Sequence, residues 1–286
     1  MRSTSPRLLR LNSRHLGRPV HLWCHGWWGT PVLVVPSASG MAHEWELGGA
    51  IEALKPWIDG GAIKLYCVET NVSMSLLGHG SLPVRYARHL RWRRFVDEEL
   101  LAFIDADMQS RGTRMLVAGA SFGALLALNL ALQKPERFAH ALCLSGRFEL
   151  APMLSDDGDG SPRWPNHAYR DSVLEEVART MPTRSAALAG AWFDQPLAYV
   201  PGLTGGALKR VRAQTGATLV VGQGPHEGRC LPETIKMARV LQARGIDARL
   251  DVWGHDVSHE WVWWRRQLVH HLPQLVQSSR LTHAAG

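Results

Sequence analysis

The sequence has no apolar run near the roughly 18 residues that a membrane-spanning helix needs. Its clean hydrophobic stretches, such as 31–35 (PVLVV), are strand-sized, so no membrane span is expected. Cysteine is scarce: Cys24, Cys67, Cys143 and Cys230 are the whole complement of 286 residues, and none stands at CxxC spacing. Three of them sit in apolar strand-like runs, which excludes a disulfide scaffold and points to reduced packing residues in a reducing compartment. Acid is missing from the entire start of the chain. The first acidic residue is Glu44, and Arg2, Arg7, Arg10, Arg14 and Arg18 precede it. Such a start has the composition of a transit peptide, but no apolar segment of about 7–15 residues follows, and strand-like sequence begins by Val20. Mature, cytoplasmic protein is the expectation. Glycine and proline, at 27 and 16 residues, are too few for a low-complexity or collagen-like chain.

What is present is a globular composition, with 45% apolar and 20% charged residues. A chain of this length buries roughly three quarters of its unfolded surface, enough for one large core. Thirty-two Lys and Arg against 25 Asp and Glu give a net charge of +7, which bears on solubility and association but not on fold.

Periodicity and breakers give an alternation of short strands and helices. Strands are expected at 20–24, 31–35, 62–69, 114–118, 139–145, 217–222 and 248–253. The first two flank a Gly-Trp-Trp-Gly turn and read as a hairpin. Helices are expected at 46–58, 83–107, 122–133, 206–213, 232–244 and 260–276, with Pro83 and Pro232 in first turns. Continuously apolar strands separated by helices mean a mostly parallel sheet with helices on both faces, in a single domain over 1–286. The alternation breaks at about 150–205, where a polar Gly/Pro-rich loop and helix signals mark an insertion of the kind that shapes substrate pockets. Asp156, Asp157 and Asp159 in it lack the spacing and closing Glu of a calcium loop and read as solvated.

Chemistry concentrates at Gly119-Ala120-Ser121-Phe122-Gly123. The five-residue pattern alone is weak, but an apolar strand runs into it and an Ala/Leu-rich helix runs out. Strand, sharp turn and helix form a nucleophile elbow, which lifts Ser121 above the sheet edge and aims the Phe122 amide at a developing oxyanion. A serine hydroxyl needs a base, and the base an orienting carboxylate. In this fold both follow the serine, each after a later strand. The loop after 217–222 offers Glu227 and Glu233; the loop after 248–253 offers His255 and His259. A second oxyanion amide is expected from Ser37 or Ala38, in the loop after 31–35.

These segments resemble the putative-esterase family of α/β-hydrolases, the group that includes S-formylglutathione hydrolases and mycolyltransferases. The resemblance runs from about 18 to 272. It rests on PVLVVPSASG, GASFG, GQGPHEG and DVWGHDVSHEWVWWRRQL, the last similar to the family's G-H-D…H-[DE]-W-x-x-W-R segment. It implies Ser121 as nucleophile, Glu227 as acid and His259 as base, acting without cofactor or metal on a small-molecule ester or thioester. Local arguments agree. Glu233 follows Pro232 in a first helical turn, where the helix dipole already explains a carboxylate. His259 stands at a loop-to-helix junction, whereas His255 has Asp256 beside it.

The expected function is a serine esterase. An acyltransferase using the same triad is the first alternative, and a non-catalytic binding module on the hydrolase scaffold is the second. Five arginines between Arg85 and Arg94, with Tyr86 and Trp92 interleaved, raise the question of a nucleic-acid surface. A solvated helix face balanced by Asp97, Glu98 and Glu99 is the preferred reading, with no nucleic-acid partner. Helical spacing assigns at least two of Trp253, Trp261, Trp263 and Trp264 to core packing.

Overall fold

A computed structural model of the chain describes residues 5–149 and 194–284. The strands are β1 Arg7–Ser13, β2 Arg18–His25, β3 Thr30–Val35, β4 Ile63–Val68, β5 Met115–Ala120, β6 Phe138–Leu144, β7 Gly216–Val221 and β8 Asp247–Val252. They form an eight-stranded sheet in the order β1-β2-β4-β3-β5-β6-β7-β8. β1, β2 and β4 pair antiparallel, and every later pairing is parallel. β4, β5 and β7 are buried at all six positions, as strands covered on both faces must be.

The helices include α1 Glu44–Leu47, α2 Ala50–Asp59, α3 Leu82–Phe95, α4 Leu101–Asp107, α5 Phe122–Gln133, α6 Gly205–Gln214, α7 Cys230–Ala243 and α8 Trp261–Ala284, and the short turns Pro196–Tyr199 and Val200–Gly202 precede α6. α3 runs into α4 through a π-helical turn, Val96–Leu100. Alternate strand residues point to opposite faces and so sort the core into two layers. Leu33, Tyr66, Val117, Cys143 and Leu219 pack with α3, α4, α5 and α7. Val32, Val34, Leu65, Leu116, Ala118 and Val220 pack with α2 and α8. No helix among the described residues is long and apolar enough to cross a membrane. All four cysteines are free and buried.

Two expectations are corrected. The 20–24 and 31–35 segments do not form a hairpin. β2 lies between β1 and β4, while β3 lies between β4 and β5, so the chain leaves β2, passes over β4 and enters the sheet one position further in. The basic stretch of α3 is not a solvated face. Arg85 is buried and bonds the carbonyls of Ser75 and Leu76, Arg88 bonds that of Met74, and Arg93 pairs with Asp194. Among the N-terminal arginines, Arg7, Arg14 and Arg18 pair with Asp107, Glu98 and Glu69, which explains how an acid-free start folds onto the body. The acidic cluster at 156–159 and most of the expected insertion lie outside the described residues.

Asp194 ties the returning chain to α3 and α5. Its carboxylate is 1% exposed and accepts from Tyr86 Oη at 2.6 Å, from Arg93 and from Gln133. Its carbonyl accepts from Asn129 of α5, the helix that follows Ser121. Burial holds His89, 3.6 Å from the carboxylate, neutral down to about pH 4, so Arg93 supplies the balancing charge. Asp194→Ala removes that partner. Because Arg93 is partly exposed, the expected loss is at the lower end for a broken buried pair, about 3 kcal/mol, measured by urea unfolding.

Candidate active site

Ser121 stands between β5 and α5 with φ +56° and ψ −119°, a left-handed conformation that a side chain adopts only at a cost. Its amide donates to Leu144 O at 2.8 Å and its carbonyl accepts from the amides of Ala124 and Arg147, so the surrounding backbone holds the strain. Gly123 is required by close approach, since a Cβ there would lie 2.4 Å from the Pro36 carbonyl oxygen. That contact presses the elbow against the loop after β3. As the first residue of α5, Phe122 has an amide with no intrahelical partner.

The loops after β7 and β8 are bound to each other. Gln223 N donates to Gly254 O, Gly224 N to Val257 O at 2.9 Å and His259 N to Pro225 O at 3.1 Å. Gly222 permits this, because a Cβ there would meet Val257 O at 2.1 Å. This zipper brings Glu227 Oε2 to 3.4 Å from His259 Nδ1. Glu227 is 1% exposed, and its other oxygen accepts from Ser145 Oγ at 2.5 Å. Ser145 follows β6 with φ +47°, and its Oγ also accepts from Trp264 Nε1 at 3.0 Å. The Trp264 ring meets the His259 imidazole edge-on, with centroids 4.8 Å apart.

The carboxyl edge of the sheet therefore carries Ser121, Ser145, Glu227 and His259 in the loops after β5, β6, β7 and β8. Among the described residues, the hydrogen-bond and ring partners of the His259 imidazole are Glu227, Cys230 and Trp264, and Ser121 Oγ is not one of them. Unliganded sites commonly hold this bond long and tighten it around substrate. Glu233 faces elsewhere: it accepts from Glu149 N at 3.0 Å and lies 3.5 Å from Arg147. His255 and Asp256 are exposed.

The two expected amides of the β3 loop have different fates. Ser37 donates its N–H to Glu44 Oε2 at 2.6 Å and its hydroxyl to Glu44 Oε1, so its amide is committed and cannot face a substrate. The Ala38 amide donates to no other described residue. Sequence reasoning missed Glu44, Ser145 and Cys230 as neighbours of the site. Ser145 had one usable signal, a serine directly after an apolar strand, and the other two had none. Cys230 Sγ lies 3.6 Å from His259 Nδ1, and burial, then Glu227, pushes its thiol up to about 12. It is a neutral neighbour there and not a second nucleophile. Trp264 is buried, while Trp253, Trp261 and Trp263 are half-buried.

The model of a family described as Putative esterase matches residues 85–275. No curated protein matches the chain in sequence. Among solved structures, a ferulic acid esterase superposes with a TM-score of 0.66 at 14% identity, over 96% of this chain and 99% of its own. An S-formylglutathione hydrolase from Staphylococcus aureus gives 0.66 at 14% identity, over 95% and 98%. MPT51 of Mycobacterium tuberculosis gives 0.63 at 14% identity, over 96% and 99%. The fold is that of the α/β-hydrolases.

Proposed function

Since the chain belongs to the Putative esterase family of hydrolases, we propose that Ser121, His259 and Glu227 form a triad that cleaves a small-molecule carboxylic ester or thioester through an acyl-enzyme. The observation that carries this reading is the Glu227–His259 contact, on the same sheet edge as a serine held in strained backbone. Ser121 Oγ attacks the acyl carbon as His259 Nε2 takes its proton. The carbonyl oxygen becomes an oxyanion within reach of the Phe122 and Ala38 amides. His259 then returns the proton to the leaving oxygen or sulfur, and water repeats the sequence on the acyl group. Through Nδ1, Glu227 fixes the ring's tautomer and offsets the positive charge the imidazole gains. The buried carboxylate faces the imidazole because Ser145 holds its other oxygen.

Ser145 is a positioning residue, and Ser145→Ala tests it. A hydrogen bond to a charged group contributes about 1.5–3 kcal/mol, so kcat should fall roughly 10- to 100-fold with KM little changed. A change confined to KM would place Ser145 against substrate instead.

Substrate class follows from a panel of p-nitrophenyl esters and thioesters of increasing acyl length, assayed with and without added alcohol or thiol acceptors. Free acid as the product throughout supports hydrolysis. Predominant transfer to an acceptor would move the assignment to an acyltransferase with the same triad. No turnover of any member by folded protein would refute the catalytic reading.

A further inference from the structure

A second cluster of ligating groups lies where β8 meets α8. Asp251, His270 and His271 each offer an atom within 4.8 Å of the other two. Asp251 is the penultimate residue of β8, and both histidines belong to the third turn of α8. His271 is 2% exposed, His270 is exposed and the Asp251 side chain is 28% exposed. One donor is thus anchored in the core while the other two keep a path to solvent.

His271 Nε2 is 2.9 Å from Asp251 Oδ2, yet it is aligned for a hydrogen bond with neither that atom nor any other described group. Oδ2 is already the acceptor of Trp253 Nε1 at 2.9 Å. Two potential ligand atoms in contact, but not on one donor–acceptor line, can both turn toward a common ion. The Trp253 indole then acts as the outer hydrogen bond that orients a ligating carboxylate. The esterase chemistry proposed above uses none of these residues.

We propose that Asp251, His270 and His271 bind a divalent transition-metal ion, with zinc as the best match, at a site separate from the triad. Two imidazole nitrogens and one carboxylate oxygen favour zinc, nickel or cobalt over calcium and magnesium, and water completes the coordination. A bound ion ties the end of β8 to α8, the two elements that flank the loop carrying His259. The site would therefore stabilise the frame of the catalytic loop without entering the reaction.

The test is calorimetric titration of untagged, EDTA-treated full-length protein with Zn²⁺, with thermal unfolding followed in parallel. Wild type should bind one equivalent at this site and unfold at a higher temperature with zinc. Asp251→Asn and His270→Ala, both at solvent-accessible positions, should each weaken that binding at least tenfold and abolish the thermal shift. Glu227, Cys230 and His259 also have ligating atoms within 4.8 Å of one another, so Cys230→Ser is the control and should bind zinc at this site as wild type does. Absence of binding would overturn the proposal. So would binding untouched by the first two variants, or a thermal shift lost only in Cys230→Ser, which would place the ion at the triad.

Discussion

Replacing Ser121 by alanine should lower ester turnover by a factor on the order of 10⁴ or more while the protein stays folded. The size of the loss follows from what Ser121 alone provides. Without its oxygen there is no acyl-enzyme, and only the oxyanion amides and substrate binding remain to help water attack directly. The fold should tolerate the change because alanine removes one oxygen and leaves the 120–123 backbone, the Leu144 hydrogen bond and the Gly123–Pro36 approach in place. Circular dichroism and a melting curve establish that the variant is folded before its rate is read. Retention of more than about one tenth of wild-type turnover would mean that the reaction does not pass through Ser121.

His259→Ala should be as damaging as Ser121→Ala, and the double variant no worse than either, because nucleophile and base act as one unit. His255→Ala should cost far less. The two histidines leave the same strand, but their surroundings differ. His259 is held by its amide on Pro225 O, by Glu227 at Nδ1 and by the edge of Trp264, whereas His255 is exposed. The reverse order of effects, at equal stability, would move the base to His255 and leave the Glu227–His259 contact a structural one.

The parts of the site legible in the sequence are those written in local chemistry. A run of buried-strand residues, a Gly-x-Ser-x-Gly turn and an apolar helix can pack in few ways, so the Ser121 elbow follows from the one contiguous stretch 115–133. The loops that carry the proposed acid and base each follow a strand, and their mutual hydrogen bonds explain the glycines of the first, Gly222 and Gly224. Partners from distant segments left no such mark. Glu44 stands out in the sequence only as its first acid, and only the folded chain shows that it occupies the Ser37 amide and leaves Ala38 of the two expected donors. Ser145 reads as the end of a strand, and only β6 lying between β5 and β7 puts it under Glu227.

The same division explains the fold. The buried strands β3 to β7 are plain from their apolar runs, but β1 is not. RLLRLNS is an edge strand with mostly exposed or half-buried positions, and its arginines give the start a transit-peptide composition whose structural use appears only when Arg7 is seen on Asp107. The supposed hairpin failed for a related reason. Two adjacent strand-like runs pair by default, but β4, some thirty residues later, satisfies the inner edges of both. The arginines of α3 misled in the opposite direction, since their carbonyl and Asp194 partners lie in loops that carry no charge pattern.

An activated serine has a direct chemical signature. Folded protein treated with a fluorophosphonate and digested for peptide mass spectrometry should carry a single adduct, on Ser121. Labelling should fall at least a hundredfold in His259→Ala, because attack on phosphorus requires the same base. No adduct on folded wild-type protein, or an adduct on another residue that persists when Ser121 is alanine, would contradict the account.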